Sequence, residues 1–156
     1  MFLMIALVVL ALLLVGYFYA TARVSITAYK AEGMAASENA ALFAQTQEAL
    51  AQGTFEGTVF NDAALGPMEN YAWITYTLRL SNQCLVPVDM VEVQVVPDPQ
   101  DVLQVGNAQV QSLDAKTIGD VKATILTAKD SHSIRELIVT YYVWGVSFSI
   151  RETYGG

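Results

Sequence analysis

Cysteine and histidine each occur once in these 156 residues, as Cys84 and His132. A disulfide framework is therefore excluded, and a metal centre built on thiolates and imidazoles has almost nothing to draw on. Basic residues are scarce as well: eight Lys and Arg stand against fifteen Asp and Glu, for a formal net charge of −7. Such a chain repels a polyanion, which argues against nucleic acid as a partner. No glycine-rich phosphate loop occurs, and no pair among the fifteen acids is singled out for acid–base catalysis.

Charge is also missing locally. Residues Met1 to Ala22 carry none, and the run consists almost entirely of Leu, Val, Ala, Ile, Met, Phe and Tyr, with Arg23 as the first charge. About 20 apolar residues cross a hydrocarbon core of about 30 Å, so 1–22 reads as a transmembrane anchor whose partner is the lipid bilayer. Tyr17, Phe18 and Tyr19 near its end suit an interfacial belt. A cleaved signal sequence is the lesser alternative, because its apolar core would be shorter and preceded by positive charge. The two basic residues that follow, Arg23 and Lys30, point toward a cytoplasmic domain by the positive-inside rule. A β-sandwich points outward by analogy. The localisation expected is the cell membrane, single-pass, with the domain outside and the cytoplasmic side as the alternative.

From residue 23 to 53 the composition turns to Ala, Gln, Glu and Ser. Ser37 is placed to cap a helix and Gly53 to end it, so this stretch is expected to be a helical stalk or linker. From Thr54 the period changes to two. Seven β-type runs follow: Phe55–Phe60, Tyr71–Ser81, Val88–Val96, Val102–Ser112, Ile118–Thr127, Arg135–Val143 and Val146–Thr153. Within them Ile74, Tyr76, Leu78 and Leu80 oppose Trp73, Thr75, Thr77 and Arg79, and Val91, Val93 and Val95 oppose Glu92 and Gln94. Turn signals such as Ser81-Asn82, Pro97-Asp98-Pro99, Gly106-Asn107 and Gly145 punctuate them. The fold expected for 54–156 is an all-β, immunoglobulin-like sandwich of about seven strands.

The stretch from Tyr76 to Asn82, then Pro87 ahead of Val91-Glu-Val-Gln-Val95, then Asp101-Val-Leu103, resembles the small immunoglobulin-like domains of the CARDB and FxLYD kind on microbial surface proteins. In these a strand ends in Asn, a turn follows, and the next strand carries alternating valines. The resemblance implies a binding or spacer role without catalytic residues.

Candidate chemistry is sparse. Cys84 and His132 are the minimum for a thiolate–imidazole pair, yet both fall in separate turn-like segments, and a half-buried thiol and a solvated histidine are the simpler reading. Asp98 with Asp101, and Asp114 with Asp120, are the carboxylate pairs nearest to a calcium-binding spacing, although turn carboxylates capping their own backbone explain them too. No catalytic, cofactor or metal residues are therefore assigned. Tyr141, Tyr142 and Trp144 cluster beside Gly145 and form the candidate interaction surface, although the central strands of a sandwich bury just such aromatics and core is the favoured reading; alternation puts Tyr142 and Trp144 on one side and Tyr141 on the other. The function expected is a non-enzymatic membrane protein that displays its domain for protein interaction or envelope organisation. The alternative is a type IV pilin-like subunit that self-assembles through its N-terminal helix, although Ile5 stands where bacterial pilins carry glutamate.

Overall fold

A computed structural model describes residues 2–61, 64–106 and 111–154. The apolar run forms helix α1, Phe2–Thr21, and none of its residues is buried against the rest of the protein. Its end is closed by the Thr21 hydroxyl, which donates to the Tyr17 carbonyl at 2.8 Å. That bond covers an acceptor the last helical turn leaves open.

The chain then departs from the helical stalk expected over 23–53. Val24–Ala35 is strand β1, and helix is confined to a short 3₁₀ turn at Ala36–Asn39 followed by α2, Ala40–Gln52. Asn39 rather than Ser37 caps α2, its Oδ1 accepting from Leu42 N–H at 3.3 Å. Gly53 ends the helix in the left-handed conformation, φ 68°, with its N–H turned back onto the last carbonyls. The strand forms because β3, Tyr71–Asn82, offers a long unpaired edge, and β1 pairs with it from Val24↔Asn82 to Ala35↔Ala72. Ladder bonds along that length outweigh the mild helix preference of Ala, Lys and Glu.

The remaining strands are β2 (Gly57–Val59), β4 (Val88–Val95), β5 (Asp101–Val105), β6 (Gln111–Leu113), β7 (Ile118–Ala128), β8 (Arg135–Val143) and β9 (Val146–Tyr154). Nine strands are thus seen among the described residues where seven runs were expected. The difference is β1 and the division of 102–112 into β5 and β6; residues 107–110, including the Asn107 turn signal, lie outside the described residues. All pairings are antiparallel, in one sheet of order β1-β3-β7-β5-β2 and another of order β6-β4-β8-β9. The sheets accordingly begin at Val24, well before residue 54.

Two apolar clusters hold the molecule. Between the sheets lie Ile74, Tyr76, Leu78 and Leu80 from β3, Val91, Val93 and Val95 from β4, and Leu137, Val139 and Tyr141 from β8. These are the inward members of the alternations read from sequence. On the outer face of the five-stranded sheet, Trp73, Leu103 and Leu126 are covered by Ala36 and by Phe43 of α2. Helix α2 is a lid on that face, which is why Trp73 is buried although it points away from Ile74.

The glycines at 57 and 106 mark a close backbone crossing. A Cβ at Gly57 would collide with the Gln104 carbonyl oxygen and one at Gly106 would fall 2.9 Å from that of Glu56, so only glycine lets β2 lie against β5.

Candidate interaction surface

Strand β8 reads Arg-Glu-Leu-Ile-Val-Thr-Tyr-Tyr-Val, and its residues alternate strictly between buried and half-buried. The three aromatic candidates consequently meet three different environments. Tyr141 belongs to the core at 4% exposure, so it offers no surface. Its phenolic oxygen accepts from Val24 N–H at 3.4 Å, and its ring stacks on Phe148 of β9. Tyr142, on the opposite face, lines a groove of about 380 Å³ with Met90, Glu92 and Thr140 on one side and Thr58 and Val105 on the other.

Trp144 and Gly145 form the two-residue turn between β8 and β9, and both have positive φ, 49° and 78°. A tight hairpin turn of this hand demands that conformation twice. Glycine adopts it freely, whereas a tryptophan gives up roughly 1–2 kcal/mol. The ring is held from outside the hairpin: it lies 5.3 Å from Phe18 and 6.3 Å from Tyr19, while Tyr19 also stacks on Phe148. One line of aromatic contacts therefore runs from the end of α1 through the hairpin into the core at Tyr141 and fixes the helix to the sandwich. Alternation in the sequence showed that one of these aromatics would face outward; only the fold shows that Trp144 meets the apolar helix.

The opposite end of the sandwich carries the buried charges. Arg135, at the start of β8 and 2% exposed, donates from Nε and Nη2 to both oxygens of the Asp101 carboxylate at 2.7 Å each. Its Nη1 reaches the carbonyls of His132 and Ile134 and lies 3.0 Å from Asp98. The Asp98 backbone N–H donates to Asp101 at 2.8 Å. One guanidinium therefore bridges Asp98 and Asp101 and offsets one of their two negative charges. Burial pushes the Asp101 carboxyl up, but the Arg135 hydrogen bonds prevail and hold it below the ordinary carboxylate value. The other carboxylate pair does not converge: Asp120 is bound by Arg79 across the β3–β7 ladder at 2.8 Å, and Asp114 supplies its backbone carbonyl to a turn. Among the described residues no three His, Cys, Asp or Glu side chains are grouped to hold a metal ion.

Cys84 and His132 lie at opposite ends. Cys84 follows Asn82 beside the end of α1, its Sγ 3.6 Å from the Arg23 carbonyl. His132 follows Ala128, which pairs with Tyr71 at the far end of β3. The 12-residue strand between them spans roughly 37 Å, since each residue rises about 3.4 Å. Thiolate–imidazole chemistry between them is excluded, and Cys84 is buried.

Two buried polar side chains that brace the sheets belong to no motif in the sequence. Gln104 reaches across to the other sheet, accepting from Val95 N–H at 2.8 Å and donating to the Val93 carbonyl at 2.7 Å, so an amide side chain replaces a missing strand beside β4. Arg135 is the other. Its signal was an arginine sharing the inward face with Leu137, Val139 and Tyr141, a position that requires a buried acid.

Tyr76 lies against the same charged group, its hydroxyl donating to the Ser133 carbonyl at 2.7 Å. Burial chiefly pushes its pKa from 10.0 up to about 12; Arg135 opposes the shift and Asp101 and Asp98 add to it. The unfolded chain thus releases this proton before the folded one. The stability Tyr76 contributes is complete below the ordinary tyrosine pKa and is lost as pH rises through its folded pKa. Urea midpoints measured across that alkaline window should fall, and less steeply in Tyr76→Phe; equal slopes would contradict the assignment.

The chain matches no protein-family model and no curated protein sequence.

Proposed function

We propose that this chain is a non-enzymatic, single-pass membrane protein that displays an immunoglobulin-like sandwich, of the CARDB or FxLYD kind, for protein interaction or envelope organisation. The observation that carries the reading is the uncovered helix. None of the 20 residues of α1 is buried in the protein's own core, only its last turn touches the sandwich through Phe18 and Tyr19, and its mean hydropathy over an 18-residue window is 2.7. At about 25 cal/mol per Å² of apolar surface, such a helix does not remain in water, and a bilayer supplies its cover. The pilin-like alternative would cover it with neighbouring copies. Against that stands the chain's change to strand at Val24, directly after the span, where a filament core calls for a longer helix.

The chain should co-float with phosphatidylcholine vesicles and stay with them through high-salt and alkaline washes. Release by salt would overturn the anchor. Negative-stain electron microscopy of the sheared surface fraction decides between covers, because fibres containing this chain would replace the lipid reading with the filament one. Side of display is read by a cysteine introduced at exposed Ser149 and labelled in intact cells with an impermeant maleimide, since Cys84 itself is buried.

A further inference from the structure

Resting on the membrane reading, we propose that the α1-proximal end of the sandwich is a second lipid contact, in which the β8–β9 hairpin and the β3–β4 loop sit in the headgroup layer and hold the domain down on the bilayer. Three observations carry it. First, spacing leaves the end no alternative: a 20-residue helix is about 30 Å long, the thickness of the hydrocarbon core. Only Ala22 and Arg23 then intervene before β1, and Ala22 is already buried in the sandwich. The turns beside Arg23 must lie within the few ångströms of headgroup.

Second, this end exposes what an interface accommodates and a free tip avoids. Trp144 is 56% exposed, Leu85 57% and Ile118 64%, and the register puts all three at one end: Val143↔Val146 brackets Trp144, Ser81↔Ile118 closes the β3–β7 ladder, and Leu85 follows Gln83, whose N–H donates to the Arg23 carbonyl. Exposed Arg23 and Lys116 lie among them, beside exposed Asp114, with the Lys116 Nζ donating to the Gln83 carbonyl at 2.6 Å. Indole and amphipathic cations are the residues that settle at headgroup depth. Third, Trp144 and Lys116 occupy turn positions of positive φ, 49° and 61°, where asparagine or glycine would rest more easily.

Tryptophan fluorescence tests this in the full chain. Trp73→Phe leaves Trp144 as the single reporter and removes an indole N–H that has no acceptor among the described residues. The variant is reconstituted in phosphatidylcholine vesicles whose chains are brominated either near the headgroup or near the terminal methyl. Trp144 should emit at short wavelength and lose most of its intensity to the shallow bromines, and clearly less to the deep ones. Because Trp144 also touches Phe18 and Tyr19, a second reporter separates lipid contact from helix contact: Leu85→Trp in a Trp73→Phe/Trp144→Phe background should show the same shallow quenching. Water-like emission, unaffected by either lipid, in protein that still co-floats would overturn the seat and leave the anchor standing. So would quenching confined to Trp144, or stronger quenching by the deep bromines. Failure to co-float would overturn the anchor and the seat with it.

Discussion

Arg135→Met should destabilise the sandwich by about 3–5 kcal/mol, the range for removing one partner of a buried ion pair. Against a total stability of roughly 5–15 kcal/mol, that is a large share, and the urea midpoint at neutral pH should fall accordingly. The damage comes from what stays behind. Asp101, 2% exposed, would keep its charge without the two 2.7 Å hydrogen bonds that offset desolvation, and the carbonyls of His132 and Ile134 would lose their donor. Acid separates this explanation from lost packing. In the wild type Asp101 titrates below the ordinary value, so its stabilisation is present above that value and fades as pH falls through the folded pKa. In the variant an unpaired, buried carboxyl is raised instead, and protonation relieves it. The deficit should therefore shrink as pH drops toward the carboxylate range. Adding Asp101→Leu should recover part of the loss at neutral pH. A single variant with a wild-type midpoint would mean that water reaches this pair.

Asn82→Ala should cost about 3 kcal/mol or more, because several backbone groups depend on one side chain. Asn82 is 1% exposed. Its Oδ1 accepts from Cys84 N–H at 2.9 Å, and its Nδ2 lies 3.0–3.1 Å from the carbonyls of Val86, Leu113 and Asp114. One amide thus ties the β3–β4 loop to the β6–β7 turn, the two turns beside the end of α1. Replacement by Asp tests the donor role. A carboxylate keeps the shape and the Cys84 bond but directs negative charge at three carbonyls, so Asn82→Asp should be less stable than Asn82→Ala above the carboxylate pKa. Hydrogen exchange should quicken first at residues 83–87 and 114–117. An Asp variant as stable as wild type would show that packing alone holds the site.

What the sequence determined by itself was whatever depends on near neighbours. The apolar helix α1 follows from an uncharged apolar run, the end of α2 from Gly53, and the inward faces of β3, β4 and β8 from alternation, because side chains two apart on a strand share a face whatever the strand pairs with. Alternation also required at least one of Tyr141, Tyr142 and Trp144 to face outward, without saying which. Tertiary structure decided the rest. Strand β1 shows little alternation, being exposed along most of its length, and its Ala-, Lys- and Glu-containing sequence is extended only because the edge of β3 lies beside it. The Arg135–Asp101 pair joins residues 34 apart, and the aromatic line joins Phe18 to Trp144 across most of the chain. Neither spacing carries a local signal, since only the stacking of two sheets brings those positions together. The end of the sandwich that meets the helix was likewise decided by sheet order: pairing Val24 with Asn82 places α1 beside the β8–β9 hairpin rather than beside the buried charges at the other end.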